Sequence, residues 1–159
     1  MIVSVDALFS RNNKIGSKLI AKGTKHLESA IPETSHVSVL INKRWIHEAT
    51  GAGVKVISYD LWKTIHTEVN RIQLSNREYQ EIADQFRLIK DKNYDYPGIF
   101  FLGICIIPTF IGIPLPKKNL WESTNRYFCC EVLGYLTNKY YGMSAPCQIL
   151  AKLLKDSNG

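Results

Sequence analysis

The chain has 159 residues, 45% apolar and 21% charged, enough to close a hydrophobic core without metal or disulfide staples, and it contains no low-complexity tract. The net charge of +6 is spread along the sequence rather than gathered in one tract, so it reads as solubility before it reads as an anionic partner, and a nucleic-acid role is disfavoured. The four cysteines (Cys105, Cys129, Cys130 and Cys147) lack zinc-knuckle spacing, and Asp6 and Arg11 interrupt the one candidate signal core, so a single domain made in the cytoplasm with free thiols is expected.

Ile2 to Phe9 is a β-compatible run ended by Arg11-Asn12-Asn13, and Ile15 to Ala21 reads as a short helix with Ile15, Leu19 and Ile20 inward. Ser35 to Ile41 is the clearest strand. Asn42-Lys43 turns it into a second strand, Arg44 to Ala49, and Thr50 to Gly53 turns again into Val54 to Ser58, giving an antiparallel meander. Ser75-Asn76-Arg77-Glu78 has the S-x-x-E pattern of a capping box, opening a helix to about Lys90 with Tyr79, Ile82, Ala83, Phe86 and Ile89 inward. The 17 residues Ile99–Leu115 fall short of the ~20 needed to span a bilayer and are broken by Gly103, Pro108, Gly112 and Pro114. A buried helix from Ile99 to Ile107 followed by a loop is the better reading, with membrane or lipid contact as the alternative. Ser144-Ala145-Pro146 opens a last amphipathic helix through Leu150, Leu153 and Leu154, and Asp156 to Gly159 is expected to fray.

Between these lies the stretch that carries chemistry. Ser123, Thr124 and Asn125 are N-cap types, and Cys129, Val132, Leu133 and Leu136 follow at i, i+3, i+4 and i+7 on one helical face. A thiol in the first turn of a helix sits at its positive end, which favours the nucleophilic thiolate. Helical phase selects Cys129 over Cys130. Such a nucleophile needs a base, and the base needs an orienting group. His26 and His66 lie in polar stretches and look ordinary, and His47 alternates with Trp45 and Ala49. His36 opens the best strand, and Glu48 is a carboxylate inside an apolar run, expensive to bury unless paired. If the hairpin closes at Asn42-Lys43, the two stand nearly opposite each other. The residues alone leave open whether this is an orienting pair or two side chains at a sheet rim.

The order of these features resembles the circularly permuted papain-like hydrolases of the NlpC type, in particular the small YiiX-like group. The resemblance covers most of the chain. It rests on Val5-Asp6-Ala7-Leu8-Phe9-Ser10, Gly16 to Ile20, Ser35-His36-Val37-Ser38-Val39, Ile46 to Val54 with its Glu48-Ala49 and Gly51-x-Gly53, Tyr94-Asp95-Tyr96, Phe128-Cys129-Cys130-Glu131-Val132-Leu133, and Ser144-Ala145-Pro146. Cys130 stands where serine is common in that pattern, and Val5 and Ser38 stand where it has glycine; the latter two leave the pocket shape, and hence the substrate, open.

The resemblance implies an α+β permuted papain-like fold, an antiparallel meander or small barrel against the N-terminal end of the cysteine helix. It implies Cys129 as nucleophile, His36 as base and Glu48 as third polar group, with no metal or organic cofactor. The implied activity is a cysteine amidase or endopeptidase acting on bacterial cell-wall peptides, in a bacterial or phage-encoded and virion-associated protein. An acyltransferase or lipid hydrolase on the same residues, and a non-catalytic structural or binding protein, are the alternatives.

Overall fold

The computed structural model describes residues 1–116, 125–139, 141 and 144–158. The class is α+β. Strands β1 (Ile2–Arg11), β2 (His36–Ile41), β3 (Trp45–Thr50), β4 (Gly53–Ser58) and β5 (Thr67–Glu78) form one antiparallel sheet in the order β4-β3-β2-β1-β5. The β2–β3–β4 meander is as expected. Asn42 and Lys43 both take left-handed backbone, φ 51° and 54°, the conformation whose twist suits a two-residue hairpin.

Strand β5 departs from the sequence expectation. Ser75, Asn76 and Arg77 pair with Val5, Ser4 and Val3 of β1 instead of capping a helix. The pairing satisfies backbone groups along the whole segment, which a local cap cannot do. Helix α3 (Tyr79–Ile89) starts directly after it, with Glu78 at the N-cap and no side-chain cap.

The alternation of β1 and β2 divides the core between the two faces of the sheet. Val3, Val5, Ala7, Phe9, Val37, Val39 and Ile41 face the helical layer. There they meet Ile82 and Phe86 of α3, Val132, Leu133 and Leu136 of α5 (Cys129–Thr137), and Ile149 and Leu150 of α6 (Pro146–Asn158). Leu8, Leu40 and Ile46 face the other way, under Trp62 of α2 (Tyr59–Ile65), a helix absent from the sequence reading. The short parallel strands β6 (Asn93–Tyr94) and β7 (Arg126–Tyr127) bring the chain to the head of α5.

Four helical expectations need correction. In α1 (Ile15–Thr24), Ile15 and Leu19 are exposed, Ile20 is half-buried, and Ala21 and Thr24 are turned inward. In α4 (Tyr96–Ile106) only Gly98 and Leu102 are buried, and the 3-10 helix that follows (Ile107–Ile111) buries nothing, so this segment is no core helix. Its apolar residues are apolar on every side, and sequence cannot say whether another layer covers them. Helix α6 extends to Asn158, so Asp156 and Ser157 are helical rather than frayed, while Gly159 lies outside the described residues. In α3, Tyr79 is exposed although Ile82, Phe86 and Ile89 are buried as expected. Among the described residues no helix is long and apolar enough to cross a membrane.

Candidate active site

Strands β2 and β3 place the histidine and the carboxylate. Their register sets Val39 against His47 and Leu40 against Ile46, which carries Glu48 level with Ser38 and one alternate residue from His36. His36 Nε2 and Glu48 Oε2 are 2.9 Å apart, and both residues are buried. Ser38 Oγ donates to the same carboxylate oxygen at 3.2 Å and accepts from Trp62 Nε1 at 3.2 Å. Ser38 therefore faces the carboxylate rather than a substrate, so the serine in place of glycine at this position shapes the support of Glu48. Lys55 Nζ lies 3.9 Å from the other carboxylate oxygen.

The cysteine arrives on α5. Its cap is not one of the expected polar residues: Asn125 lies in a turn, Ser123 and Thr124 lie outside the described residues, and Phe128 is the N-cap. The Phe128 N–H donates to Glu131 Oε2 at 3.0 Å, a half capping box that stiffens the first turn. Cys129, the first helical residue, belongs to the helical-layer core, and α5 packs its head on β2, close enough for the His36 imidazole and the Val37 backbone to act on the sulfur. With Nε2 held by Glu48, Nδ1 is the nitrogen left for the sulfur.

The electrostatics follow from these contacts. Cys130 Sγ, 3.9 Å away, and His36 both hold the Cys129 thiol well below its ordinary range, against the opposing effect of burial. The 3.9 Å sulfur–sulfur contact is a long, weak hydrogen bond, so the charge on His36 is the physically stronger stabiliser of a thiolate. Burial disfavours protonation of His36, yet its bonds to Cys129 and Glu48 raise it to about 10. Glu48 is held below the usual carboxylate range: burial pushes it up, and the hydrogen bond and charge of His36 outweigh that. Cys130 is pushed well above the thiol range, by burial first and by Cys129 second. The two adjacent cysteines are thus unequal, one thiol lowered and the other raised. Cys147 donates to the Thr24 carbonyl at 3.4 Å, and burial raises it as well.

Sequence reasoning missed His66. It caps the C-terminal end of α2, is buried, and stacks between Trp62 and His36 at ring-centroid distances of 4.9 and 5.0 Å. Ser10 Oγ is 3.3 Å from its Nδ1. Burial first, then the charge on His36, lowers its pKa to about 4, so it is neutral where His36 is charged. The signal available in the sequence was Trp62 and His66 at i, i+4, one face of a helix. His47 is buried against the edge of the Phe86 ring on the other side of the sheet, and burial lowers it to about 4. His26 stacks on Phe110 away from the site.

His36, Glu48 and His66 also present ligand-type atoms within 4.8 Å of one another. A divalent ion there would have to displace the proton of His36 and separate it from Glu48, so it would compete with the hydrogen bond that joins them. No protein-family model, curated protein or solved structure matches this chain.

Proposed function

We propose that the protein is a cysteine hydrolase in which Cys129 is the nucleophile, His36 the general acid and base, and Glu48 the residue that orients His36. The observation that carries this reading is the buried His36–Glu48 hydrogen bond beside Cys129, whose sulfur sits at the head of a helix within the influence of the His36 charge. A thiolate–imidazolium pair is the resting state that such a line favours.

The Cys129 thiolate attacks a carbonyl carbon, and the tetrahedral oxyanion is stabilised by backbone N–H at the head of α5, on Cys129 and Cys130. Collapse of that intermediate breaks the bond to the leaving group, which departs with the proton of His36 and leaves a thioester. Neutral His36 then takes a proton from water as the water attacks the thioester, the acid is released, and the thiolate–imidazolium pair is restored. Glu48 keeps the imidazole in register and stabilises its charged form.

The resemblance to permuted papain-like hydrolases favours a peptide amide, with bacterial cell-wall peptides as the substrate class. An acyl or lipid ester is a second reading on the same three residues, favoured by the uncovered apolar residues of α4.

Iodoacetamide labelling followed by peptide mapping tests the chemistry. Cys129 is expected to react first at neutral pH and in mild acid, where burial keeps Cys147 a thiol. His36→Ala is expected to shift Cys129 labelling to alkaline pH and to lower turnover about a hundredfold to ten-thousandfold. Turnover in the unsubstituted protein is expected to fall as pH rises through about 10, when His36 loses its proton. If Cys129 labels no faster than Cys105 or Cys147 and His36→Ala changes nothing, the reading is wrong.

A further inference from the structure

From Tyr96 to Pro116 the sequence holds no charged residue. In the fold, Tyr96, Phe100, Ile104, Ile107 and Ile111 recur at helical spacing along α4 and the 3-10 helix that continues it, and all five are exposed. Ile107 keeps 68% and Ile111 79% of its surface, and the row is contiguous, the kind of exposed apolar patch that marks an interaction surface. Phe110 and Ile113 add to the same segment.

Helix α1 lies against α4, and His26, just beyond α1, stacks on Phe110. On α1 the exposed Ile15 and Leu19 run beside a second exposed row, Lys14, Lys18 and Lys22, and the helix has no acidic residue. An apolar ridge beside a row of lysines is complementary to a surface of hydrocarbon beneath anionic headgroups, whereas a second copy of this face would oppose lysine to lysine.

We propose that the α1–α4 face docks on an anionic lipid bilayer, with the α4 ridge entering the acyl boundary and the three lysines meeting phosphate or carboxylate headgroups. Both helices leave from the candidate site. Lys14 at the head of α1 is close enough for its charge to act on His66, and α4 begins two residues after Tyr94, which pairs with Tyr127 just ahead of Cys129. Docking therefore sets that site at the lipid–water boundary, where a membrane-anchored acyl or peptidyl carbonyl would be presented to it; this last step rests on the reading of Cys129 as nucleophile.

Co-sedimentation with vesicles tests the docking itself, using phosphatidylcholine alone and an equal mixture with phosphatidylserine. The full chain carrying Cys129→Ala is expected to sediment with the mixed vesicles as the unsubstituted protein does, so binding is judged apart from catalysis. Binding is expected to fall about fivefold for each of Lys14→Gln, Lys18→Gln and Lys22→Gln, and with rising salt. Phe100→Asp combined with Ile107→Asp, both at exposed positions, is expected to weaken binding at least about tenfold while thermal unfolding stays unchanged. Failure to sediment with mixed vesicles overturns the proposal. So does sedimentation that the aspartate pair leaves intact, or a dimer in light scattering that the aspartate pair converts to monomer.

Discussion

The Ser38 hydroxyl serves two partners at once, donating to Glu48 and accepting from the Trp62 indole, each at 3.2 Å and all three residues buried. Ser38→Gly removes one donor from the carboxylate and leaves the indole N–H without its acceptor. The expected cost is about 2 kcal/mol in urea denaturation, together with a weaker hold on His36. A loss near zero would mean that the hydroxyl supports neither partner. The neighbouring pair His36 and Glu48 was legible in the sequence because a two-residue turn fixes the strand register, and register fixes which side chains share a face. His66 was not legible in the same way. Its place beside His36 depends on α2 folding over the sheet so that Trp62 packs on Leu8, Leu40 and Ile46, and no local pattern encodes that contact.

Among the elements, α5 is held by close approach. A Cβ on Gly134 would stand 2.5 Å from the Lys139 carbonyl oxygen and 3.3 Å from the Tyr141 ring, so the returning chain packs against bare helix backbone. The Asn138 left-handed cap, φ 54°, turns the chain back into that contact. Gly134→Ala is expected to destabilise by about 1–3 kcal/mol despite the higher helix propensity of alanine, as read from the thermal midpoint. A stabilised variant would refute the packing argument. The apolar phase of α5 was readable because the helix covers a sheet. The same reasoning failed for α4, where hydrophobicity alone cannot distinguish a covered helix from an uncovered one. It failed for β5 as well, where Ser75 and Glu78 have cap spacing but pairing with β1 competes for the same backbone groups.

For the whole molecule, the buried histidines set the response to acid. His47 and His66 ordinarily titrate at 6.5, and burial lowers both to about 4 in the fold. The folded state thus binds fewer protons than the unfolded chain across that interval. The stability these two groups contribute is complete above 6.5 and is lost as pH falls toward 4, at no more than about 1.4 kcal/mol per pH unit for each group. Urea midpoints measured across the interval should fall steadily with acid, and His47→Leu should remove about half of the slope while leaving His36 and Cys129 untouched. An unchanged slope would place the acid-sensitive group elsewhere.

The order in which the pieces appear along the chain has a consequence for biosynthesis. His36 and Glu48 emerge early on adjacent strands, and Cys129 follows after roughly eighty further residues, a separation whose closure must await the sheet that receives it. A growing chain shorter than α5 therefore carries the His36–Glu48 pair without the thiol that packs beside it. The thiol first experiences a positive imidazole only when α5 and α6 settle on β1 and β2. The surroundings that lower the Cys129 thiol are thus completed late, when the domain closes around the sulfur, and not while the polypeptide is still short.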